Sequence, residues 1–215
     1  MGEEGYRGEV TPREPVIEAV LLAAGASRRF GAAKLLAAYD GATLLSRSVA
    51  RALAAPARAV WLVVGSGAEA VEAEARTTAA TLGTAARLKV VHAEGWAEGM
   101  SASLRAGLTA LSPDCEAAWI GLADMPRVPP DIDAQLITAL RGGALAAAPV
   151  VCGRRGHPVM LRRALFPDLL ALTGDAGARR VLDALGPALA LVPTNDRGVL
   201  EDVDTPEDLA SLQNA

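Results

Sequence analysis

The stretch Val20–Lys34, VLLAAGASRRFGAAK, decides how the rest of the chain is read. Its first half is apolar and closes on Gly25, while its second half carries Arg28, Arg29 and Lys34. Val16–Ala23 is a short, partly β-branched apolar run ended by glycine, the pattern of a buried strand. The basic half has no packing role to explain it. A glycine-opened turn lets backbone N–H groups approach oxygens closely, and the three basic side chains add charge, so the segment predicts an anionic ligand. The competing reading is a plain strand-to-helix turn with solvated basic residues.

Two familiar phosphate loops fail against this stretch. Five residues separate Gly25 from Gly31, and Lys34 comes two residues too late for GxxxxGK followed by Ser or Thr. The dinucleotide pattern GxGxxG fails as well, because Ala26 and Ser27 stand in the wrong places.

Outward from this strand and loop, apolar runs alternate with helical patterns. Gly41–Ala55 has apolar residues at helical spacing, with Arg47 and Arg51 four apart. Ala59–Gly65 predicts a second buried strand, AEAVEAEARTTAATL a solvated helix, LKVVHAEG a third strand and MSASLRAGLTAL a helix after a glycine turn. Ala117–Pro126 predicts a fourth strand ending in an acid and a proline, with Pro129 and Pro130 opening a helix behind it. ALAAAPVVCG and GHPVMLRRALF predict a strand pair around the GRRG turn; two short helices and a late strand, ALALVPT, follow. Thr205 is placed to N-cap a last helix with Pro206 first inside it, and Asp208 completes a weak capping box.

Strands alternating with helices imply right-handed βαβ units, a mostly parallel sheet and helices on both faces. The expected architecture is a single-domain, three-layer α/β/α Rossmann-like fold over residues 16–215, after a flexible tail at residues 1–15. The chain length of 215 residues suits one domain, and 51% hydrophobic residues with only 3% aromatics fits close packing of helix on sheet by Ala, Leu and Val.

Composition excludes several classes of function. A net charge of −4 with mixed signs and no polybasic block speaks against nucleic acid. Cys115 and Cys152 are far apart with no CxxC pair, which speaks against a disulfide framework or zinc site and favours two buried structural thiols. No run reaches the roughly 18 apolar residues of a membrane span, and the polar, acidic start does not read as a secretory signal. A cytoplasmic protein without membrane contact is expected.

Ligand sites in such sheets lie beyond the carboxyl ends of the strands, near a switch in strand order. The candidates are therefore Gly25–Lys34, Gly65–Gly67, Gly95–Ser103, Asp124–Pro126 and Asp202–Asp204. Asp124 ends an apolar strand, where a carboxylate has no packing purpose, and it stands too early to cap the helix after Pro130. Asp202, Asp204 and Asp208 crowd one segment, where some serve only as caps. Ser101 reads either as a helix cap beside Gly99 or as a hydroxyl donor together with Ser103. His157, with Arg154 and Arg155, reads as an ordinary turn histidine or as part of a cationic rim. His92 reads as structural, and Trp96 as a stacking surface or a loop pin.

LAAGASRRFGAAK resembles the LAAGxSxRxGxxK motif that opens the MobA-like nucleotidyltransferases. WAEGMSASLRAGL, LADMP, GRRGHPVML, LTGDAGARRVL and DVDTPEDL are similar, in order, to further segments of the family's molybdenum-cofactor cytidylyltransferase branch. The resemblance implies transfer of a nucleoside monophosphate from an NTP to a phosphorylated acceptor, with release of pyrophosphate. It implies Arg28, Lys34 and Asp124 as catalytic residues. Ala23, Ala24, Gly25, Ser27, Arg28, Lys34 and Gly65 would lie on the nucleotide side, and Gly99, Ser101, Ser103 and His157 on the acceptor side. Asp124 and Asp204 would hold Mg²⁺, with Asp202 the alternative to Asp204.

The LAAG form resembles CTP-preferring members. The implied partners are CTP, a molybdopterin-type acceptor and, beyond these, molybdoenzymes or their maturation factors. The chemistry is consistent with the residue set. A phosphate-monoester acceptor is largely dianionic at neutral pH, so it needs no dedicated general base. Metal, lysine, arginine and backbone N–H groups offset the charge brought together at the attacked phosphorus. Other readings are an NTP transferase acting on a sugar phosphate or phospholactate, a nucleotide-cofactor-dependent reductase, and a non-catalytic nucleotide-binding maturation factor.

Overall fold

The computed structural model describes residues 14–25, 30 and 33–213; the expected tail before residue 14 and the candidates Ser27, Arg28 and Arg29 lie outside the described residues. In chain order the elements are β1 (Ile17–Ala23), β2 (Ala38–Tyr39), β3 (Ala42–Thr43), α1 (Leu44–Ala54), β4 (Val60–Val64), α2 (Ala68–Thr81), β5 (Leu88–His92), α3 (Met100–Ala110) and β6 (Ala117–Leu122). There follow α4 (Ile132–Arg141), β7 (Ala146–Val151), β8 (Arg154–Arg155), β9 (Val159–Arg162), α5 (Phe166–Leu170), α6 (Arg179–Ala184), β10 (Leu189–Pro193) and α7 (Pro206–Gln213).

The strand order across the main sheet is β10-β7-β9-β6-β1-β4-β5, with β8 hydrogen-bonded to β7. β1 pairs in parallel with both β4 and β6, β4 with β5 and β7 with β10; β9 is antiparallel to both of its neighbours. From β1 the chain steps outward through β4 to β5, and α3 then carries it back to β6 on the other side of β1. That reversal opens a crevice at the carboxyl ends of β1 and β6, the position where open α/β sheets bind ligands.

The apolar run of β1 is buried on both faces, as a central parallel strand requires. Ala19 and Leu21 pack with Leu45, Val49 and Leu53 of α1, Val71 and Ala75 of α2, and Leu136 and Leu140 of α4. Val20 packs on the opposite side with Leu104 and Leu108 of α3, Phe166 and Leu169 of α5, and Leu182 of α6. This is the three-layer arrangement expected from the sequence. Each fully buried leucine contributes about 1.5–3 kcal/mol by leaving water, so Leu45→Ala in α1 would cost about 2–5 kcal/mol once the cavity is included.

Local departures have local causes. Gly41–Thr43, read as the start of a helix, instead belongs to the β2–β3 hairpin, and Thr43 caps α1 by accepting a hydrogen bond from the Ser46 N–H at 3.0 Å. β7 turns into β8 through Cys152 (φ 48°) and Gly153 (φ 76°), the left-handed pair that a tight hairpin needs. Cys152 is exposed there, so the expectation of two buried thiols holds only for Cys115. Pro129 and Pro130 precede α4 rather than opening it. No described helix is long and apolar enough to cross a membrane.

Candidate active site

Lys34 starts a short 3-10 turn after the β1 loop, and its ammonium is buried between two carboxylates from distant parts of the chain. Its Nζ donates to Asp124 Oδ2 at 2.8 Å and to Asp204 Oδ1 at 3.2 Å. Burial alone would lower the lysine's pKa, but Asp124 and Asp204 outweigh it and hold the ammonium above its ordinary value. Lys34 is therefore a fixed cation at neutral pH.

The backbone explains why the two aspartates meet. Asp124 lies in the turn after β6, and the Ala123 N–H donates to the Leu22 carbonyl, extending the β1–β6 pairing past the strand end. The Val203 N–H donates to the Asp124 carbonyl at 3.0 Å, clipping the segment before α7 onto that turn. Val203 itself is buried against Tyr39 and Leu44. The capping box read from the sequence is present: the Asp208 N–H donates to Thr205 Oγ1 at 3.2 Å and the Thr205 N–H to Asp208 Oδ2 at 2.8 Å. Asp208 Oδ2 also accepts from the Asp204 N–H at 3.0 Å. Asp208 is thus engaged in capping, while the Asp204 carboxylate turns to Lys34. Asp202 is exposed beside them. Partial enclosure, together with the Asp124 and Asp204 carboxylates, raises its pKa.

A second brace holds the loop that follows Asp124. Arg51 of α1 donates to the Val128 carbonyl at 3.0 Å, the Pro129 carbonyl at 3.1 Å and Asp133 Oδ1 at 2.8 Å. Trp119 Nε1 donates to the same Asp133 oxygen at 2.9 Å. Sequence spacing placed Arg51 four residues from Arg47 on one helix, but only Arg51 is buried, with 8% of its side chain exposed against 41% for Arg47. No sequence signal short of the partner in α4 distinguishes them.

Two cavities open at this end of the sheet. The one beside β1, about 360 Å³, is lined by Leu22, Ala24, Gly25, Trp96, Ala97, Gly99, Met100, Ser103, Leu122, Asp124 and Asp175. The other, about 730 Å³, is lined by Ile120, Arg154, Arg155, Gly156, His157, Val159, Leu161, Arg179, Leu182 and Leu191, among others. Met100 and Asp175 line both and form a shared wall. Gly99 makes that wall possible: at φ 125°, a Cβ there would lie 2.4 Å from Asp175 Oδ1 and 2.6 Å from the Gly174 carbonyl carbon.

The sequence-derived candidates distribute over this geometry as follows. Ala24, Gly25, Gly99, Ser103 and Asp124 share the smaller cavity, so Gly99 and Ser103 lie beside the β1 loop rather than with His157. Ala23 is packed into the core beneath. Gly65 stands at the end of β4, where a Cβ would lie 2.7 Å from Trp96 and 2.9 Å from Ala24; its bareness lets Trp96 close on the β1 loop. Ser101 is buried in the first turn of α3 and accepts a hydrogen bond from Arg105, outside the lining of either cavity and not at the cap position.

His157 lies in the larger cavity, and its Nδ1 is buried with no hydrogen-bond partner among the described residues. Burial lowers the pKa of His157 against the opposing effects of the Ile120 backbone, Asp124 and Asp202. The imidazole is therefore neutral at pH 7, and the cationic rim consists of arginines, of which Arg155 is paired with Asp183. His92, the last residue of β5, is exposed and faces Glu72 at 3.4 Å. Sequence reasoning did not select Asp175, although LTGDAGARRVL contains it, and it gave Met100 no role within the candidate stretch Gly95–Ser103.

The family model for the MobA-like NTP transferase domain matches residues 19–189. The chain belongs to that family. Its enzymatic class is nucleotidyl transfer. Among curated proteins this MobA-like chain is similar to the nicotine blue oxidoreductase of Paenarthrobacter nicotinovorans, at 31% identity over 92% of this chain and 97% of that one. It is also similar to the molybdenum cofactor cytidylyltransferase of Escherichia coli, at 25% identity over 92% of this chain and 95% of that one. Among solved structures, Rv0371c of Mycobacterium tuberculosis matches with a TM-score of 0.80 and 27% identity, covering 94% of this chain and 100% of that one. A manganese complex of Rv0371c matches at 26% identity with a TM-score of 0.75, over 93% of this chain and 99% of that one.

The residues present fit a divalent cation. Among the described residues no group of three or more His, Cys, Asp and Glu side chains gathers at ligand spacing. Mg²⁺ does not require one: it commonly takes one or two carboxylates and fills its shell with substrate phosphates and water. Asp124 and Asp204 already flank a cation, the Lys34 ammonium, which stands in for that charge.

Proposed function

We propose that this protein transfers CMP from CTP to the phosphate of a molybdopterin-type cofactor, releasing pyrophosphate, with Mg²⁺ held by Asp124 and Asp204. The observation that carries the reading is the convergence of Lys34, Asp124 and Asp204 at the switch in strand order. In the transfer, an acceptor phosphate oxygen bonds to the α-phosphorus of the NTP, the bond from that phosphorus to the β-phosphate bridging oxygen breaks, and pyrophosphate leaves. Bound Mg²⁺ would supply neutralising charge to the phosphates. Lys34 offers the triphosphate a permanent cation, and the bare backbone at Ala24–Gly25 leaves room for the base in the smaller cavity. The larger cavity takes the acceptor body: Arg154 and Arg179 in its lining favour anionic groups, and His157 adds a neutral side chain to the same wall. The chemistry needs no secretion or membrane contact, and the cytoplasm is its proposed setting.

The test is to incubate the protein with Mg²⁺, each NTP in turn and molybdopterin, and to measure pyrophosphate. Release is expected with CTP in preference to GTP. No release with any nucleotide defeats the transferase reading, and equal use of GTP defeats the base assignment. Replacing molybdopterin with sugar phosphates or phospholactate tests the other acceptors. The similarity to nicotine blue oxidoreductase favours one second reading, hydride transfer from a nicotinamide or flavin cofactor. The missing GxGxxG pattern and the buried Lys34–aspartate cluster, which has no part in hydride transfer, weigh against it. Oxidation of NADH or NADPH by an added quinonoid dye in the presence of this protein would support that reading.

A further inference from the structure

We propose that Lys34 closes the metal site in the nucleotide-free protein, so that the divalent cation enters together with the NTP as one complex instead of residing in the protein beforehand. This inference rests on the metal-and-phosphate reading given above.

The Lys34 ammonium already holds one oxygen of each carboxylate that fits the metal, Asp124 Oδ2 at 2.8 Å and Asp204 Oδ1 at 3.2 Å. It is well shielded, with 9% of its side chain exposed. A dication cannot take those oxygens while an ammonium remains hydrogen-bonded to them, because the two like charges would sit within a few ångströms in a partly dry site.

The protein by itself also offers few ligands. No group of three or more His, Cys, Asp and Glu side chains assembles among the described residues, and a Mg²⁺-type ion commonly completes its shell with phosphate and water. A free ion thus has little to gain by displacing the lysine. An NTP supplies both missing parts: phosphate oxygens that can take over the three N–H donors of Lys34, and phosphate oxygens that complete the metal's shell. A lysine is suited to this exchange, because its charge rides on a flexible four-carbon stem. The ammonium moves from carboxylate to phosphate as the metal moves in. Metal and nucleotide affinities are then coupled, each strengthening the other by the same factor.

Mn²⁺ is the probe, counted as free ion by its spin-resonance signal, with wild type and Lys34→Met, with and without α,β-methylene-CTP, against a titration of the analogue alone that accounts for the Mn²⁺ it binds by itself. Wild type is expected to bind Mn²⁺ alone weakly and at least about tenfold more tightly with the analogue. Lys34→Met is expected to bind Mn²⁺ alone at least about tenfold more tightly than wild type, and to gain less from the analogue. Equal affinity of wild type and Lys34→Met for Mn²⁺ alone overturns the proposal, and so does wild-type binding that the analogue leaves unchanged. If Lys34→Met does not fold, Lys34→Gln is titrated in its place and the same tightening of Mn²⁺ alone is required, because the wild-type pair by itself tests only the coupling of metal to nucleotide. Absence of Mn²⁺ binding in every arm, analogue included, instead sinks the metal reading on which the proposal stands.

Discussion

Lys34 Nζ lies 2.8 Å from Asp124 Oδ2 across a separation of 90 residues, joining the loop after β1 to the turn after β6. The pair spans the crevice where the strand order reverses, so it marks the site and fastens its two walls together. Asp124 keeps 24% of its side chain exposed and can rehydrate if its charge is removed. Asp124→Asn is therefore expected to abolish pyrophosphate release while circular dichroism and the cooperative melt persist. Loss of the fold in this variant would assign Asp124 to structure instead.

Asp204 and Asp202 separate by geometry. Asp204 reaches Lys34 at 3.2 Å, and its backbone is pinned by Asp208, whereas Asp202 is exposed alongside. Asp204→Asn should weaken Mn²⁺ binding measured with a CTP analogue at least about tenfold, and Asp202→Asn by less than about threefold. The reverse order would move the second metal ligand to Asp202.

Gly99→Ala tests the wall between the cavities. The added Cβ meets Asp175 and Gly174 below 3.0 Å, at a φ of 125° that side chains rarely adopt. Strain of this kind costs about 1–3 kcal/mol, and the 174–177 turn must shift from Met100. A lower melting midpoint and a raised KM for the acceptor are expected. An unchanged melt would show that the turn yields freely.

Asp133→Ala should damage stability as much as emptying a core leucine position. It leaves the Arg51 guanidinium buried with carbonyl partners only and deprives Trp119 Nε1 of its acceptor. Breaking a buried pair from one side costs about 3–5 kcal/mol, which denaturant unfolding would register as a lower midpoint. The double variant Arg51→Met/Asp133→Leu should recover part of the loss, because it leaves no buried charge behind.

Glu18 sets an acid limit. Burial would raise its pKa, but Arg58, the Ser112 N–H and Trp61 more than offset this and bring it down from 4.5 to about 2. A depressed carboxylate contributes stability that is present above the unfolded pKa and is lost as pH falls through the folded one. Wild type should therefore lose on the order of 2 kcal/mol more than Glu18→Gln between pH 4.5 and 2. Parallel stability profiles for the two proteins over that window would refute the assignment.

Much of the fold was legible because central strands are buried on both faces and must be written as unbroken apolar runs. β1, β4 and β6 could be read in this way. The Thr205–Asp208 capping box was equally legible, because its partners stand three residues apart. The β2–β3 hairpin was hidden because Gly41–Thr43 continues into a helical pattern that begins only after Thr43 has capped it. Asp175 was hidden because nothing local sets one exposed loop acid apart from another; its importance comes from docking on a bare Gly99.

By itself the sequence determined an alternating α/β chain, a basic loop after the first strand and carboxylates at later strand ends, all properties of local composition and spacing. The tertiary structure alone decided which of those groups meet. Strand order, including the antiparallel insertion of β9, brings Asp204 to Lys34 across 170 residues and Arg51 to Asp133 across 82. Such contacts follow from which strands are neighbours, and local periodicity does not carry that information. Charge pairing at those meeting points then selects one lysine and two aspartates from several chemically equivalent residues.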